Sequence, residues 1–279
     1  MMPPASLLSF AVDVARITLW LVILSMIFVP LERAFALRRQ RVWRRQIGLD
    51  LAYYFLNSLV TAAILSVLMA LLAASLNRLL PAGLLRLTAG LPASARLLAA
   101  LVIGEAGFYW GHRWTHEIPL LWRFHAIHHS ATDIDFLTNT RAHPVDMIFA
   151  RLCGFAPLFA LGLAGRGAGG TAAPVLLILI STLWGFFIHA NLRWRLGWLE
   201  LLVTSPAFHH WHHTNGAMRD RNYASTLPWL DWLFGTWHLP RGWPDSYGID
   251  AAIPDRLLGQ LIDPLSPRDR QPAAVPPPG

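Results

Sequence analysis

The chain has 279 residues, 54% of them hydrophobic and only 14% charged, whereas soluble domains carry roughly 25% charged residues. With a mean hydropathy of +0.42, this composition excludes a highly charged or disordered chain and points to a membrane protein. All 23 basic residues are arginine and the net charge is +7, but the arginines stand beside apolar runs, so the expected partner is the membrane bilayer, through an anionic lipid surface, and no nucleic acid.

Residues 7–31 hold the apolar run ITLWLVILSMIFVPL, long enough for the roughly 20 residues of a bilayer crossing. Ala34-Phe35-Ala36 has the form of a signal-peptide cleavage site, yet such peptides carry their positive charge ahead of the apolar run. Here it follows, in Arg33, Arg38, Arg39, Arg41, Arg44 and Arg45. The positive-inside rule then puts this connection in the cytoplasm and the N-terminus outside. Residues 47–76 form a second span, and 77–95, with Pro and Gly, an external loop or interfacial segment. A third span over 96–111 delivers His112 on the cytoplasmic side.

Residues 147–163 and 175–190 read as a hairpin over the Gly-rich turn 164–173, returning the chain to the cytoplasm before His209. The single cysteine, Cys153, lies in the first arm, excludes an intramolecular disulfide and reads as a small buried residue. From residue 192 onward short helical runs follow, and the Pro-rich segment 265–279 is expected to be disordered. Strict apolar alternation is absent. The class is therefore all-α, an integral membrane helical bundle with a cytosolic helical cap. Three regions are expected: 1–96 as an N-terminal transmembrane region, 97–237 as the histidine-bearing domain, and 238–279 as a C-terminal tail.

The histidines carry the chemistry. His112 and His116 are four apart, so both rings leave one helical face, and His125, His128 and His129 stand at i, i+3 and i+4. From His116 to His125 is nine residues, about 900° of helical rotation, so one unbroken helix would set the two groups on opposite sides. Pro119 is expected to end the first helix and let the second fold back. His209, His212 and His213 repeat the second spacing. These eight imidazoles are enough for two metal ions with positions left open, since one zinc takes only three or four protein ligands.

The boxes His112-Arg-Trp-Thr-His116, His125-Ala-Ile-His-His129 and His209-His-Trp-His-His213 resemble the HxxxH, HxxHH and HxxHH boxes of the fatty acid hydroxylase superfamily, often labelled sterol desaturases. Flanking residues agree: Phe108-Tyr109-Trp110, Ala142-His143-Pro144, Asn222-Tyr223 and residues 232–236. The resemblance covers about residues 97–237. It implies a non-haem centre of two iron ions that uses O2 as co-substrate to hydroxylate or desaturate a C–H bond of a lipid, sterol-like or fatty acyl. It implies metal ligands at His112, His116, His125, His128, His129, His209, His212 and His213, with His189 as an additional one. His143 is a possible ligand or outer partner, as are Asn191, beside His189, and Glu105, which stands where many relatives carry aspartate and could orient an imidazole. Asp133, Asp135 and Asp231 are further outer candidates, while His210 and His238 are expected to be structural.

Imidazole suits iron, zinc, copper and nickel alike, so a di-zinc membrane hydrolase and a non-catalytic metal-binding membrane protein stay open as alternatives. An inert C–H bond beneath an oily bundle favours O2 chemistry. Electrons are expected from a separate donor protein, because no flavin, haem or iron–sulfur motif is visible. The boxes are expected on the cytoplasmic side of a bacterial inner membrane. Phe108, Tyr109, Trp110, Trp114, Trp122 and Trp211 read as packing or interfacial aromatics, with lining of a lipid channel as the sharper alternative.

Overall fold

A computed structural model describes residues 4–164 and 172–266. Among these residues there is no strand, only isolated bridges at Ala36–Leu192 and Thr214–Tyr247. The apolar N-terminal run is helix α1 (Pro4–Ala34). After the arginine-rich connection come α2 (Ile47–Leu56), a single π turn (Asn57–Thr61) and α3 (Ala62–Leu79) as one continuous rod. Leu7–Ala34 and Ile47–Leu76 are long and apolar enough to cross a membrane. Leu8, Phe10, Leu19 and Met26 of the first, and Val67 and Leu71 of the second, are exposed, as lipid-facing positions should be.

Where a loop or interfacial segment was expected, Ala82–Ala89 is a short helix, α4, lying at 115° to α5 (Ala93–Glu117). Taken together these two pass as a third, bent span. Ile118 is extended, and Pro119 occupies the first position of α6 (Pro119–His129). A residue before proline avoids the helical region, so α5 stops there and α6 folds back against it. The expected hairpin is α7 (Pro144–Ala160) and α8 (Ala172–His189). At 17 residues, α7 is shorter than the roughly 20 of a crossing. Most of the Gly-rich turn, and the Pro-rich tail beyond residue 266, lie outside the described residues. Among the described residues three further short α-helices follow: α9 (Pro206–His212), α10 (Trp229–Leu233) and α11 (Leu257–Ile262).

The closest crossing is α5 on α7. A Cβ added at Gly107 would stand 2.3 Å from the Cys153 carbonyl oxygen, and one at Gly111 would stand 2.7 Å from Cys153 Cβ. Without side chains there, the two backbones approach as small-residue helix pairs do in membranes. Cys153 is half-buried at this crossing. Apolar clusters then join α3 to α5 and α7 through Met69, Ala100 and Leu158, and α1 to α2 and α8 through Phe28, Tyr54 and Phe186.

Below the spans, a buried ionic lattice ties distant segments together. Arg44 binds both oxygens of Asp135 at 2.7 Å and also reaches Asp50, which in turn holds Arg141. Asp135 also caps the 3-10 turn Phe136–Thr140. Every charge here has a partner of opposite sign, which is what burial of such groups demands. At the π turn the Asn57 amide donates to the carbonyls of Thr140 and Ala142, both at 3.0 Å. The second span is thereby fastened to the segment leading into α7.

Candidate metal centre

Four elements deliver the histidines to one place. His112 and His116 end α5, His125, His128 and His129 end α6, His189 ends α8, and His209, His212 and His213 lie on and just after α9. Helix α9 starts on Pro206 with the Ser205 hydroxyl accepting from the Phe208 N–H, a stop-start signal that sets its register. The nine rings form two groups whose nitrogens lie within 4.8 Å of one another: His112, His116, His125, His129 and His212 in one, and His128, His189, His209 and His213 in the other. The rings of His129 and His213 stack at 4.5 Å, so the groups share a wall. Each HxxHH box is split between them, and in opposite senses. The i and i+4 rings of the second box join the five-histidine group, while those of the third join the four-histidine group.

The hydrogen bonds on the outer nitrogens decide what the inner ones offer. His112 Nδ1 donates to the Tyr223 carbonyl at 2.7 Å, and His125 Nδ1 to the Asp146 carboxylate at 3.0 Å. His128 Nδ1 donates to Arg141 O at 2.9 Å and His189 Nδ1 to Gly185 O at 2.7 Å. Carbonyl and carboxylate oxygens only accept, so each of these rings carries its proton outside and a bare lone pair on Nε2. Yet His112 Nε2 and His125 Nε2 face one another at 3.2 Å, and so do His128 Nε2 and His189 Nε2. Two lone pairs at that distance repel unless a cation lies between them. Nitrogens about 2.0–2.1 Å from one shared ion stand at this separation when their bond angle is roughly 100–105°. The donor set therefore fits a metal ion in each group.

Between His128 and His189 protonation does not remove the conflict. Burial and the neighbouring imidazoles push His128 down to about 4 and hold His129, His209, His212 and His213 well below the ordinary histidine value. At neutral pH these rings are neutral, the form that ligates. Buried nitrogens with no hydrogen-bond partner among the described residues include His116 Nε2, His129 Nδ1, His209 Nδ1 and His213 Nδ1.

The outer support is uneven. A single loop, residues 220–226, serves the five-histidine group: the Asp220 carboxylate accepts from His116 Nδ1 at 3.0 Å, Arg221 O from His212 Nδ1 at 2.8 Å, and Tyr223 O from His112. That loop is itself held. Asn222 adopts φ 58°, which asparagine tolerates, and its amide donates to Phe208 O and His238 O. Asp231, one of the outer candidates, accepts from the N–H groups of Tyr223 and Ala224 and from the Thr236 hydroxyl.

Other sequence candidates lie elsewhere. His143 caps α7, its Nδ1 accepting from the Val145 N–H and its Nε2 donating to Leu261 O at 3.2 Å, so it belongs to neither group. Glu105 reaches no imidazole and accepts from the Thr226 N–H at 2.9 Å. Asn191 exchanges hydrogen bonds with the Arg38 backbone, pinning the exit of α1. Asp135 serves Arg44, and only the carbonyl of Asp133 is engaged, weakly, by Thr138. His210 spends both nitrogens on Tyr247 and Ala190 O, a structural role as expected. Sequence reasoning missed Asp146 and Asp220. A lone acid in the first turn of a mostly apolar helix was the signal available for Asp146.

Between α5, α7 and α8 a cavity of about 170 Å³ opens above the rings, with His112, His125, His128, His189 and His209 at its floor. Its walls are Phe108, Met147, Ala150, Phe155, Leu158, Ile180 and Ile188. Of the box aromatics singled out, Phe108 alone lines it. Tyr109 packs on Tyr223 and Phe234, and Trp122 lies against His116 and beneath Arg219.

The family model described as fatty acid hydroxylase matches residues 97–236. This chain belongs to the fatty acid hydroxylase family. Among its relatives in that family, an ornithine lipid hydroxylase from Rhizobium tropici is 34% identical over 184 residues, 64% of this chain and 53% of the relative. An alkylglycerol monooxygenase from Danio rerio is 34% identical over 150 residues, 53% of this chain and 32% of the relative. A methylsterol monooxygenase 2-2 from Arabidopsis thaliana is 31% identical over 143 residues, 51% of this chain and 52% of the relative. The chain thus spans about half the length, or less, of these fatty acid hydroxylase relatives. No solved structure matches it.

Proposed function

We propose that this chain is a membrane lipid hydroxylase or desaturase in which the nine histidines hold two iron ions and O2 is the co-substrate. The observation that carries the reading is the set of bare Nε2 lone pairs converging beneath an apolar cavity. When bound, the iron pair would supply the O2-activating redox chemistry that a C–H bond requires and that side chains alone lack. The chain's own residues do the rest. Asp146, Asp220 and the carbonyls of Tyr223, Arg221, Arg141 and Gly185 aim the rings. Phe108, Met147, Ala150 and Ile188 exclude water and hold a hydrocarbon segment over the floor. Three of the relatives above bear the names of lipid hydroxylases or monooxygenases, which supports oxidation of a lipid C–H bond here.

In this reading electrons come from a separate donor protein. The arginine-rich connection after α1 supports a cytoplasmic position for the rings, on the inner face of a bacterial inner membrane. Lipid extracts of cells with and without the chain, compared by mass spectrometry, are expected to differ by gain of one oxygen or loss of two hydrogens. Purified protein free of iron, together with product formation that persists in His128→Ala, would end the proposal. Turnover without O2 or a reductant would favour a hydrolase instead.

A further inference from the structure

The cavity above the rings is lined mostly by apolar side chains, and its charged residues away from the rings are Glu105 and Arg151. Glu105 precedes His112 by seven residues on α5, Arg151 follows Asp146 by five on α7, and Ser181 precedes His189 by eight on α8. At 1.5 Å per helical residue, Glu105 and Ser181 sit about 10–12 Å above the histidines of their own helices, and Arg151 about 8 Å above Asp146, the carboxylate that holds His125. Arg151 Nη1 donates to Ser181 Oγ at 2.9 Å. Among the described residues no carboxylate lies within ion-pair distance of Arg151, and the acid whose field it feels is Glu105, itself engaged by the Thr226 N–H.

This differs from the treatment of arginine elsewhere in the molecule. Arg44 and Arg141 are buried too, but Asp50 and Asp135 take up their charge. Arg151 has one neutral hydroxyl partner and otherwise lines the cavity. An ionisable group among apolar helices is costly and marks a ligand or pathway, and the guanidinium fork matches an oxyanion with two parallel hydrogen bonds. It is paired with no histidine, and the one acid that shares its field, Glu105, is not within ion-pair distance.

We infer that Arg151 is the polar anchor of the lipid site, binding an anionic oxygen group of the substrate while the cavity below it takes the adjoining hydrocarbon. This rests on the lipid-oxidising reading and adds the substrate class: a lipid whose carboxylate or phosphate lies about 8–12 Å from the carbon that is oxidised. At about 170 Å³ the cavity admits only that part of the molecule, and the remaining chain stays outside it.

The test is binding to the full chain in detergent micelles, with palmitate, a palmitoyl lysophosphatidate and neutral hexadecanol as probes, followed by calorimetry. The wild-type chain is expected to bind at least one anion ten times or more tightly than the alcohol, and the preferred anion identifies carboxylate or phosphate as the source. Arg151→Gln should remove that preference and leave alcohol binding unchanged. Glu105→Gln, which deletes the nearby negative charge, should tighten anion binding severalfold, and so tests the idea even where Arg151→Gln does not fold. Equal binding of anion and alcohol by the wild type, a preference that survives Arg151→Gln, or weaker anion binding in Glu105→Gln would each overturn it. None of these measurements needs iron or O2, so their failure leaves the oxygenase proposal standing, and an absence of O2-dependent product alongside intact anion preference would remove only the latter.

Discussion

The two histidine groups share α6 and the α9 region, with α5 completing one and α8 the other, and they are supported differently. The five-histidine group leans on two carboxylates and on one loop that supplies three of its four outer acceptors. The four-histidine group has only the carbonyls of Arg141 and Gly185, and His209 and His213 have no outer partner among the described residues. Carboxylate–imidazole pairs raise ligand basicity more than carbonyl–imidazole pairs do. The five-histidine group should therefore hold its ion more tightly and favour a higher positive charge on it.

The largest effect expected is loss of a ring. His125→Ala and His128→Ala, one from each group, should each abolish product and lower bound iron from about two ions per chain toward one, by elemental analysis. If either substitution empties both positions, the groups behave as one site and the comparison collapses. Next is Asp146→Asn, expected to weaken metal retention by about 10–100-fold, read by competition with a chelator. Asp220 is 34% exposed, so Asp220→Asn should cost less than about tenfold. Both losses should fall on one ion of the two.

Gly107→Ala comes third. Its Cβ would press on the Cys153 carbonyl, and overpacking of this kind costs about 1–3 kcal/mol. Because α5 carries His112 and His116, a lowered thermal midpoint should come with poorer occupancy of the five-histidine group. The smallest effect belongs to neither group. Burial pushes His210 down to about 4, against about 6.5 when unfolded. The unfolded chain therefore binds more protons between those values, and stability should fall as pH drops from about 6.5 toward 4. Metal-free protein should have a lower unfolding temperature at pH 5 than at pH 7, and His210→Asn should reduce that difference only by the share of one histidine, the other buried rings supplying the rest.

Local features were legible in the chain and long-range ones were not. Pro119 predicted the turn-back of α6, and the i, i+3, i+4 spacings predicted converging rings. Their allotment between two groups was not readable, because His125, His128 and His129 point within about 100° of one another and only the facing helices decide which ring goes where. Asp220 and Asp146 lie 104 and 21 residues from the rings they serve, and no periodicity links such pairs. The sequence offers Glu105 as a possible ligand or a group that could orient an imidazole, but seven residues of helix is about 10 Å, and its carboxylate meets the returning loop instead. The lattice of Arg44, Asp50, Asp135 and Arg141 went unseen for the same reason as the two acids.

Asn57 sits in the one π turn of the second span and grips the carbonyls on either side of Arg141, whose own carbonyl orients His128. The bilayer anchor and a ring of the centre thus hang from a single peptide segment. Membrane spans tilt when hydrocarbon thickness changes, and here such a tilt would be passed directly to an imidazole. Iron retention measured in thin and thick synthetic bilayers should differ, and Asn57→Ala should make the two alike.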